Sequence, residues 1–362
     1  MTRIGRLQAR MAETCTDLVV LAPGAHMAWL LDVRPHADER ALFACISQRK
    51  AAFLMPALEA DSARQQTDLP FYEWADAHGP DEALERLLND LGTLDAASIV
   101  LDETMRADHA ALVQDRFPTA MRRFTETTVG ALRIRKDEAE FRLLKRNAQI
   151  ADTAMKTAWA AMKPGMTEAD VAAIVKQSFA NQGASPLFSI VAAGRNAAFP
   201  HHHTDNTVLR ERDTVLIDIG GGIDGYVSDI TRVAVLGQMP EGFEDIHSVV
   251  DAAVEAALAA ARPGVPASAV DAAARGVIDD AGFGDFFNHR TGHGLGTEVH
   301  EPPYVTSTSE TVLDEGMVFS IEPGVYLPDR FGIRLEEIVV LRSDGPEILS
   351  DLRRDIHLPG TK

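Results

Sequence analysis

The 362-residue chain is expected to be an α+β protein, with a smaller α/β domain ahead of a C-terminal domain of pseudo-twofold symmetry. Three observations predict this. The first 128 residues alternate strand-like apolar runs with helical stretches. A block of helices followed by a hairpin occurs twice in similar register. Four carboxylates sit inside apolar runs, where a solvated surface strand would not put them.

The N-terminal elements come first. LVVLAP (18–23), ALFACIS (41–47), AAFLMPA (51–57) and SIVLDE (98–103) read as strands and Pro80–Leu91 as a helix, the alternation of an α/β domain over 1–128. The boundary falls in Glu126-Thr-Thr-Val-Gly130, and 129–362 makes the second domain. There Arg133-Ile-Arg-Lys-Asp-Glu138 opens a long amphipathic helix running to about Met162. Asp137 and Glu138 fall in its first turn, where the helix dipole favours acids.

The duplication is visible next. Lys163-Pro-Gly-Met-Thr-Glu-Ala-Asp-Val171 is matched by Arg262-Pro-Gly-Val-Pro-Ala-Ser-Ala-Val270 at an offset of 99 residues. The same offset maps Gly183 onto Gly282, where each following helix should end, and His201 onto His300. Carboxylate-bearing hairpins follow at slightly larger offsets. Such internal similarity reads as two related halves.

Each half supplies two acids. DTVLIDIGGGIDGYVSDITRVAV (213–235) reads as a hairpin with strands near 214–221 and 226–235. A tight loop centred on Ile223 and Asp224 would set Asp218 directly opposite Asp229, with Cβ atoms about 4.5–5.5 Å apart. Glu322 and Glu336 are expected on a second pair of strands around Pro328-Asp-Arg-Phe-Gly332. A carboxylate among Val, Leu and Ile is costly to bury unless it is paired or protonated. Four aimed at one place also repel each other. With His293, they form an oxygen-rich set with one imidazole that suits a pair of divalent cations, Mn, Co, Zn or Fe.

Composition narrows the rest. A chain with 46% hydrophobic and 25% charged residues is ordinary globular protein. A net charge of −19 argues against nucleic acid, whose binding needs Lys and Arg at phosphates. Cys15 and Cys45 imply no disulfide framework, and a reducing cytoplasm is the expected compartment. The apolar run Leu18–Pro23 is too short for a signal peptide or a membrane span. His293 lies in Thr291-Gly-His-Gly-Leu-Gly296, read as a turn where backbone comes close to a ligand. His289 and His300 flank it, and His201, His202 and His203 precede the first acidic strand. The glycines of 292–296 lack the phosphate-loop pattern. His300-Glu301 begins like the zincin motif, but Tyr304 stands where its second histidine would be.

The motifs DIGGGIDGYVSDITR, HRTGHGLGTEVHEPPYV, FSIEPGVY and GIRLEE resemble those of the dinuclear-metal pita-bread peptidases of the M24 type, best in the prolidase and Xaa-Pro aminopeptidase branch. The likeness is specific over about 185–341 and looser over 133–362. Residues 1–128 are similar to the creatinase/prolidase N-terminal domain in size and layout. The resemblance implies a pita-bread fold of the creatinase/methionine aminopeptidase kind. It implies two divalent ions, Mn or Co in the active form, ligated by Asp218, Asp229, His293, Glu322 and Glu336. Asp229 and Glu336 would bridge the ions, with Asp218 on one and His293 and Glu322 on the other. Glu322 would also shuttle a proton. His201 (with His202 left open beside it) and His300 would face the substrate, His289 would line the proline pocket, and Arg334 would serve in substrate binding. The implied reaction is hydrolysis of Xaa-Pro bonds at the N-terminus of dipeptides or short peptides by a metal-bridging water. A cytoplasmic homodimer without nucleic-acid or membrane partners is expected. The alternatives are a specialised small-molecule C–N hydrolase or lyase on the same scaffold, or a non-catalytic binding scaffold. Creatinase-like hydrolases and binding scaffolds lose acidic ligands, whereas all five positions are filled here. Methionine aminopeptidases usually lack such an N-terminal domain.

Overall fold

In the computed structural model, which describes residues 1–359, the chain divides into two compact units, Met1–Arg133 and a second beginning at Ile134. The first unit contains α1 (Arg3–Glu13), β1 (Leu18–Leu21), α2 (Ala25–Leu31), β2 (Phe43–Ser47), β3 (Ala51–Pro56) and α3 (Ala57–Ala63). It continues with β4 (Phe71–Trp74), α4 (Asp81–Leu91), β5 (Ser98–Leu101), α5 (Ala107–Gln114), β6 (Met121–Arg123) and α6 (Val129–Arg133). Its mixed sheet has the order β4-β3-β2-β1-β5-β6. Strand β1 is central and buried on both faces, which is why LVVL is apolar without alternation. Leu18 and Val20 pack with Leu84, Leu87 and Leu88 of α4, whereas Val19 and Leu21 pack with Leu7, Met11 and Trp29 on the other side.

The second unit opens with α7 (Glu138–Ala161), α8 (Glu168–Asn181), β7 (Ser185–Ala193), β8 (Thr214–Ile223), β9 (Tyr226–Val227) and β10 (Ile230–Val235). A second set follows: α9 (Phe243–Ala260), α10 (Ala267–Asp280), β11 (Gly292–Gly294), β12 (Glu301–Val305), β13 (Val318–Ile321), β14 (Gly324–Leu327), β15 (Phe331–Arg334), β16 (Glu337–Arg342) and β17 (Gly345–Ile348). Helices α8 and α10 begin and end at positions related by the 99-residue offset read in the sequence. Gly165 and Gly264 before them (φ 91° and 87°) and Gly183 and Gly282 after them (φ 76° and 82°) correspond as well. Each preceding turn is tied to a later segment in the same way, by Gly165 N–H to Leu209 O and Gly264 N–H to Leu313 O, both 2.8 Å. The halves carry sheets ordered β10-β8-β7 and β12-β11-β13-β16-β17.

Three expectations need correction. Helix α7 starts at Glu138, not near Arg133, because Asp137 and Glu140 form a capping box that stops it N-terminally. In the first hairpin Asp218 pairs with Thr231, not Asp229. The loop is Asp224-Gly225, both with positive φ (57° and 77°), the two-residue turn whose twist suits a hairpin. The register therefore slips by two residues. A slip of two keeps every side chain on its face, so Asp229, in the break between β9 and β10, remains on the face of Asp218. The second acid pair also sits differently. The turn near Pro328 joins β14 and β15, a separate two-stranded sheet, while Glu322 follows β13 and Glu336 precedes β16. These glutamates occupy strand junctions.

Candidate metal centre and its cavity

Strand β8 and the break ahead of β10 bring Asp218 and Asp229 to one wall of a cavity, and the ends of β13 and β16 bring Glu322 and Glu336 to it. His293 arrives on β11, which is a strand rather than the expected turn. Its glycine neighbours serve packing: a Cβ on Gly292 would lie 1.9 Å from Ser320 O, and one on Gly294 2.2 Å from Pro302 O. Only glycine lets this strand sit so close to its neighbours. The cavity measures about 680 Å³ and is also lined by His201, His289, Arg290, His300, Arg334 and an apolar wall of Leu187, Phe188, Ile190 and Val299. All nine site residues read from the sequence therefore line one cavity. His202 does not; it turns away to Glu168, Nε2 to Oε2 2.7 Å.

The electrostatics call for positive charge. His293 Nδ1 donates to Gly294 O at 3.1 Å, which leaves Nε2 facing Glu322 Oε1 at 3.2 Å and Asp229 Oδ2 at 3.8 Å. Atoms of Asp229, His293 and Glu336 fit within 4.8 Å of one another, the spacing of a ligand set. Asp218 Oδ1 and Glu336 Oε1 are buried without a hydrogen-bond partner. Burial, then the neighbouring acids, pushes Asp229 and Glu336 well above the usual carboxylate range. In Glu322 burial also works upward but is outweighed by His293, holding it at about 2. Orphaned oxygens, mutually repelling acids and an imidazole with its second nitrogen anchored are what divalent ions would need. The residues fit the group.

A set of supporting residues surrounds them. Arg334 donates to Asp218 Oδ2 (2.6 Å), Tyr326 Oη (2.8 Å), Thr231 Oγ1 (3.1 Å) and Pro200 O (3.3 Å). Thr231 in turn donates to Glu336 Oε2 at 2.8 Å, and Ser320 Oγ to Glu322 Oε1 at 3.0 Å. His289 has both nitrogens engaged. Its Nδ1 donates to Arg290 O (2.7 Å), a carbonyl that can only accept, so Nε2 accepts from Tyr326 Oη (2.8 Å). Burial lowers this imidazole to about 4 and keeps it neutral. His300 stacks edge-on to His293 with centroids 4.2 Å apart and is also lowered to about 4, by burial and then by His293. Thr231, Ser320, Tyr326 and Arg290 were not singled out from sequence. The signal was available for the first two: Thr231 lies two residues after Asp229 and Ser320 two before Glu322, in phase on their strands.

Residues 142–343 match metallopeptidase family M24, and residues 3–136 match the creatinase/prolidase N-terminal domain. The chain belongs to metallopeptidase family M24. Among the relatives of this M24 chain, the probable dipeptidase PepE of Mycobacterium tuberculosis is 36% identical over 95% of this chain and 92% of its own length. The Xaa-Pro dipeptidase of Pyrococcus horikoshii is 30% identical over 96% of each chain. Among solved structures, dipeptidase PepE from Mycobacterium ulcerans superposes with a TM-score of 0.93 at 32% identity, covering 99% of this chain and 97% of that one. A dipeptidase from Pyrococcus horikoshii gives 0.91 at 32%, covering 99% and 100%. The M24 chain has the pita-bread fold with a creatinase-like N-terminal domain, as the resemblance implied. Among its described residues, no helix is long and apolar enough to cross a membrane.

Proposed function

We propose that this M24 chain is a dinuclear-metal Xaa-Pro peptidase that accepts dipeptides. The observation that carries the reading is the convergence of Asp218, Asp229, His293, Glu322 and Glu336, two of them with orphaned oxygens, at a cavity with one apolar wall. These five would hold two divalent ions, Mn or Co in the active form. When bound, such ions acidify a water towards neutral pH and polarise the scissile carbonyl.

The chain's own residues supply the rest. Glu322 is the acid placed to carry a proton to the leaving imino nitrogen. His201 and His300 stand at the cavity as donors for a developing oxyanion, a role worth about 10²–10³-fold in other hydrolases. Arg334 was expected at the substrate. With four hydrogen bonds spent inside the protein, it contributes by fixing Asp218. His289 has no free polar atom, so it presents a ring to the substrate, suited to an apolar pyrrolidine. Arg290 lines the cavity with its guanidinium over the Tyr304 ring at 4.8 Å and has no carboxylate partner among the described residues. It is placed to receive the terminal carboxylate of a dipeptide.

Metal-loaded protein should cut Xaa-Pro dipeptides well ahead of Xaa-Ala, and Arg290→Ala should raise KM for dipeptides more than for Xaa-Pro-Xaa tripeptides. Equal rates on Xaa-Ala would remove the proline selectivity. Metal binding without cleavage of either would favour the specialised hydrolase reading. The family likeness and the commonness of twofold dimers support a homodimer in the cytoplasm, and light scattering at micromolar concentration should give about twice the 39.3 kDa chain mass.

A further inference from the structure

Two acids behind the cavity are fully buried, Glu168 and Asp271, each with 0% exposure. Neither lines the cavity. They stand on corresponding helices of the two halves, Glu168 as the first residue of α8 and Asp271 one turn into α10. They are not repeat equivalents, since the 99-residue offset sets Ala267 against Glu168 and Ala172 against Asp271. Each half has a buried acid at its own position.

A buried carboxylate persists only where fixed donors replace its water. For Glu168 four donors come from one segment. Ala193 N–H (2.7 Å) and Asn196 Nδ2 (2.9 Å) reach Oε1, while His202 Nε2 (2.7 Å) and Asp205 N–H (3.2 Å) reach Oε2. His201 lies inside that segment. Its own ring makes no hydrogen bond among the described residues, so the hold on its segment's backbone bears on its place at the cavity. Asp271 accepts Thr291 Oγ1 (2.8 Å), shares Thr291 N–H (3.2 Å) with Val305 O (3.0 Å), and accepts Nε and Nη2 of Arg275 (3.1 and 3.0 Å). The same guanidinium donates to Phe287 O and His289 O, both at 3.0 Å. Asp271 and Arg275 together therefore grip the chain on both sides of His289.

We propose that Glu168 and Asp271 are positioning residues, one in each half, that hold His201 and His289 in place and thereby set rate and proline selectivity without acting on the ions. The kinetic part rests on the Xaa-Pro peptidase reading. The structural part does not. Catalytic geometry is steep, and a displacement of about 1 Å can cost about 10²-fold in rate.

The isosteric amides Glu168→Gln and Asp271→Asn turn an N–H toward existing N–H donors, so neither can keep every contact. Metal content, hydrogen–deuterium exchange by peptide, and kcat and KM on Xaa-Pro and Xaa-Ala dipeptides are the readouts. Expected are wild-type metal content and faster exchange confined to 193–205 in Glu168→Gln and to 287–291 in Asp271→Asn. For Xaa-Pro, kcat/KM should fall about 10–100-fold. The loss should appear chiefly in kcat for Glu168→Gln, and chiefly in KM and in the Xaa-Pro to Xaa-Ala ratio for Asp271→Asn. If either amide does not fold, His202→Ala and Arg275→Lys carry the same local readouts, and His202→Gln, which keeps a donor to Glu168, should recover most of what His202→Ala loses. Unchanged exchange and kinetics, loss of metal, or exchange rising across the whole unit would each overturn the proposal. Failure of the metal-loaded wild type to cut Xaa-Pro would overturn the peptidase reading instead, leaving the exchange pattern to decide whether the two acids hold these segments.

Discussion

Thr231 connects the two halves of the ligand set through a single hydroxyl, donating to Glu336 while accepting from Arg334, which holds Asp218. Thr231→Val keeps the shape and removes both contacts. Metal affinity should fall about 10–100-fold, as for other groups that orient ligands, and calorimetric titration of the apo protein checks it. This chain of contacts was only half legible in the sequence. The acids themselves stand out because they interrupt apolar runs; the phase of Thr231 with Asp229 puts it on their face, but nothing in the sequence says which groups its hydroxyl meets. Tyr326 was hidden for a similar reason, since nothing in FSIEPGVY says that its hydroxyl meets His289 and Arg334. In the first unit, Glu103 offers a separate test. Burial works to raise its pKa, but hydrogen bonds from His26 and Thr125 win and hold it at about 2. A lowered carboxylate stabilises the fold above its unfolded value, near 4.5, and that contribution disappears as pH falls through about 2. Because the side chain is 45% exposed, solvent keeps the effect modest. The melting temperatures of wild type and Glu103→Gln should therefore differ at pH 6 and converge between pH 4.5 and 2.

Among the elements, the first hairpin is the most instructive. Gly221-Gly222-Ile223-Asp224-Gly225 offers several tight turns, and choosing one centred on Ile223 and Asp224 misplaced the register by two residues. The Asp-Gly pair prevails because both its residues adopt left-handed backbone there. The choice of face survived the error, so that Asp218 and Asp229 still line one cavity, because strand side chains alternate with period two. Gly225→Ala forces a Cβ into that conformation and should cost about 1–2 kcal/mol, read as a lowered urea midpoint. Helix α8 was legible at its end, where Gly183 follows it with φ 76° as the repeat implied. At its start Thr167 and Asp170 form a capping box. Its counterpart α10 begins after Pro266 with no side-chain cap. Thr167→Ala should destabilise by about 1 kcal/mol, while Pro266→Ala should not show a loss of that origin; equilibrium unfolding of the two variants compares them.

For the whole molecule, the symmetry was readable because backbone punctuation, Pro-Gly turns and helix-ending glycines, was copied with the fold. What could not be read was how strand ends and junctions converge, since Glu322 and Glu336 sit between strands of different sheets. Chelation should lower the melting temperature, because removing cations leaves Asp229 and Glu336 buried among like charges. Added ion should restore about 2.7 kcal/mol once its free concentration is about 100 times Kd. The long sequence separations within the site have a further, kinetic consequence. Arg334 and Asp218 are 116 residues apart, and Thr231 and Glu336 are 105 apart. Contacts closed over such distances form late in folding. A nascent chain that has completed one half holds only two of the four acids and no pocket, so tight ion uptake has to wait until the halves meet. Stopped-flow refolding should therefore show helical signal recovering first and metal capture trailing it, making bound metal a reporter of chains that have finished folding.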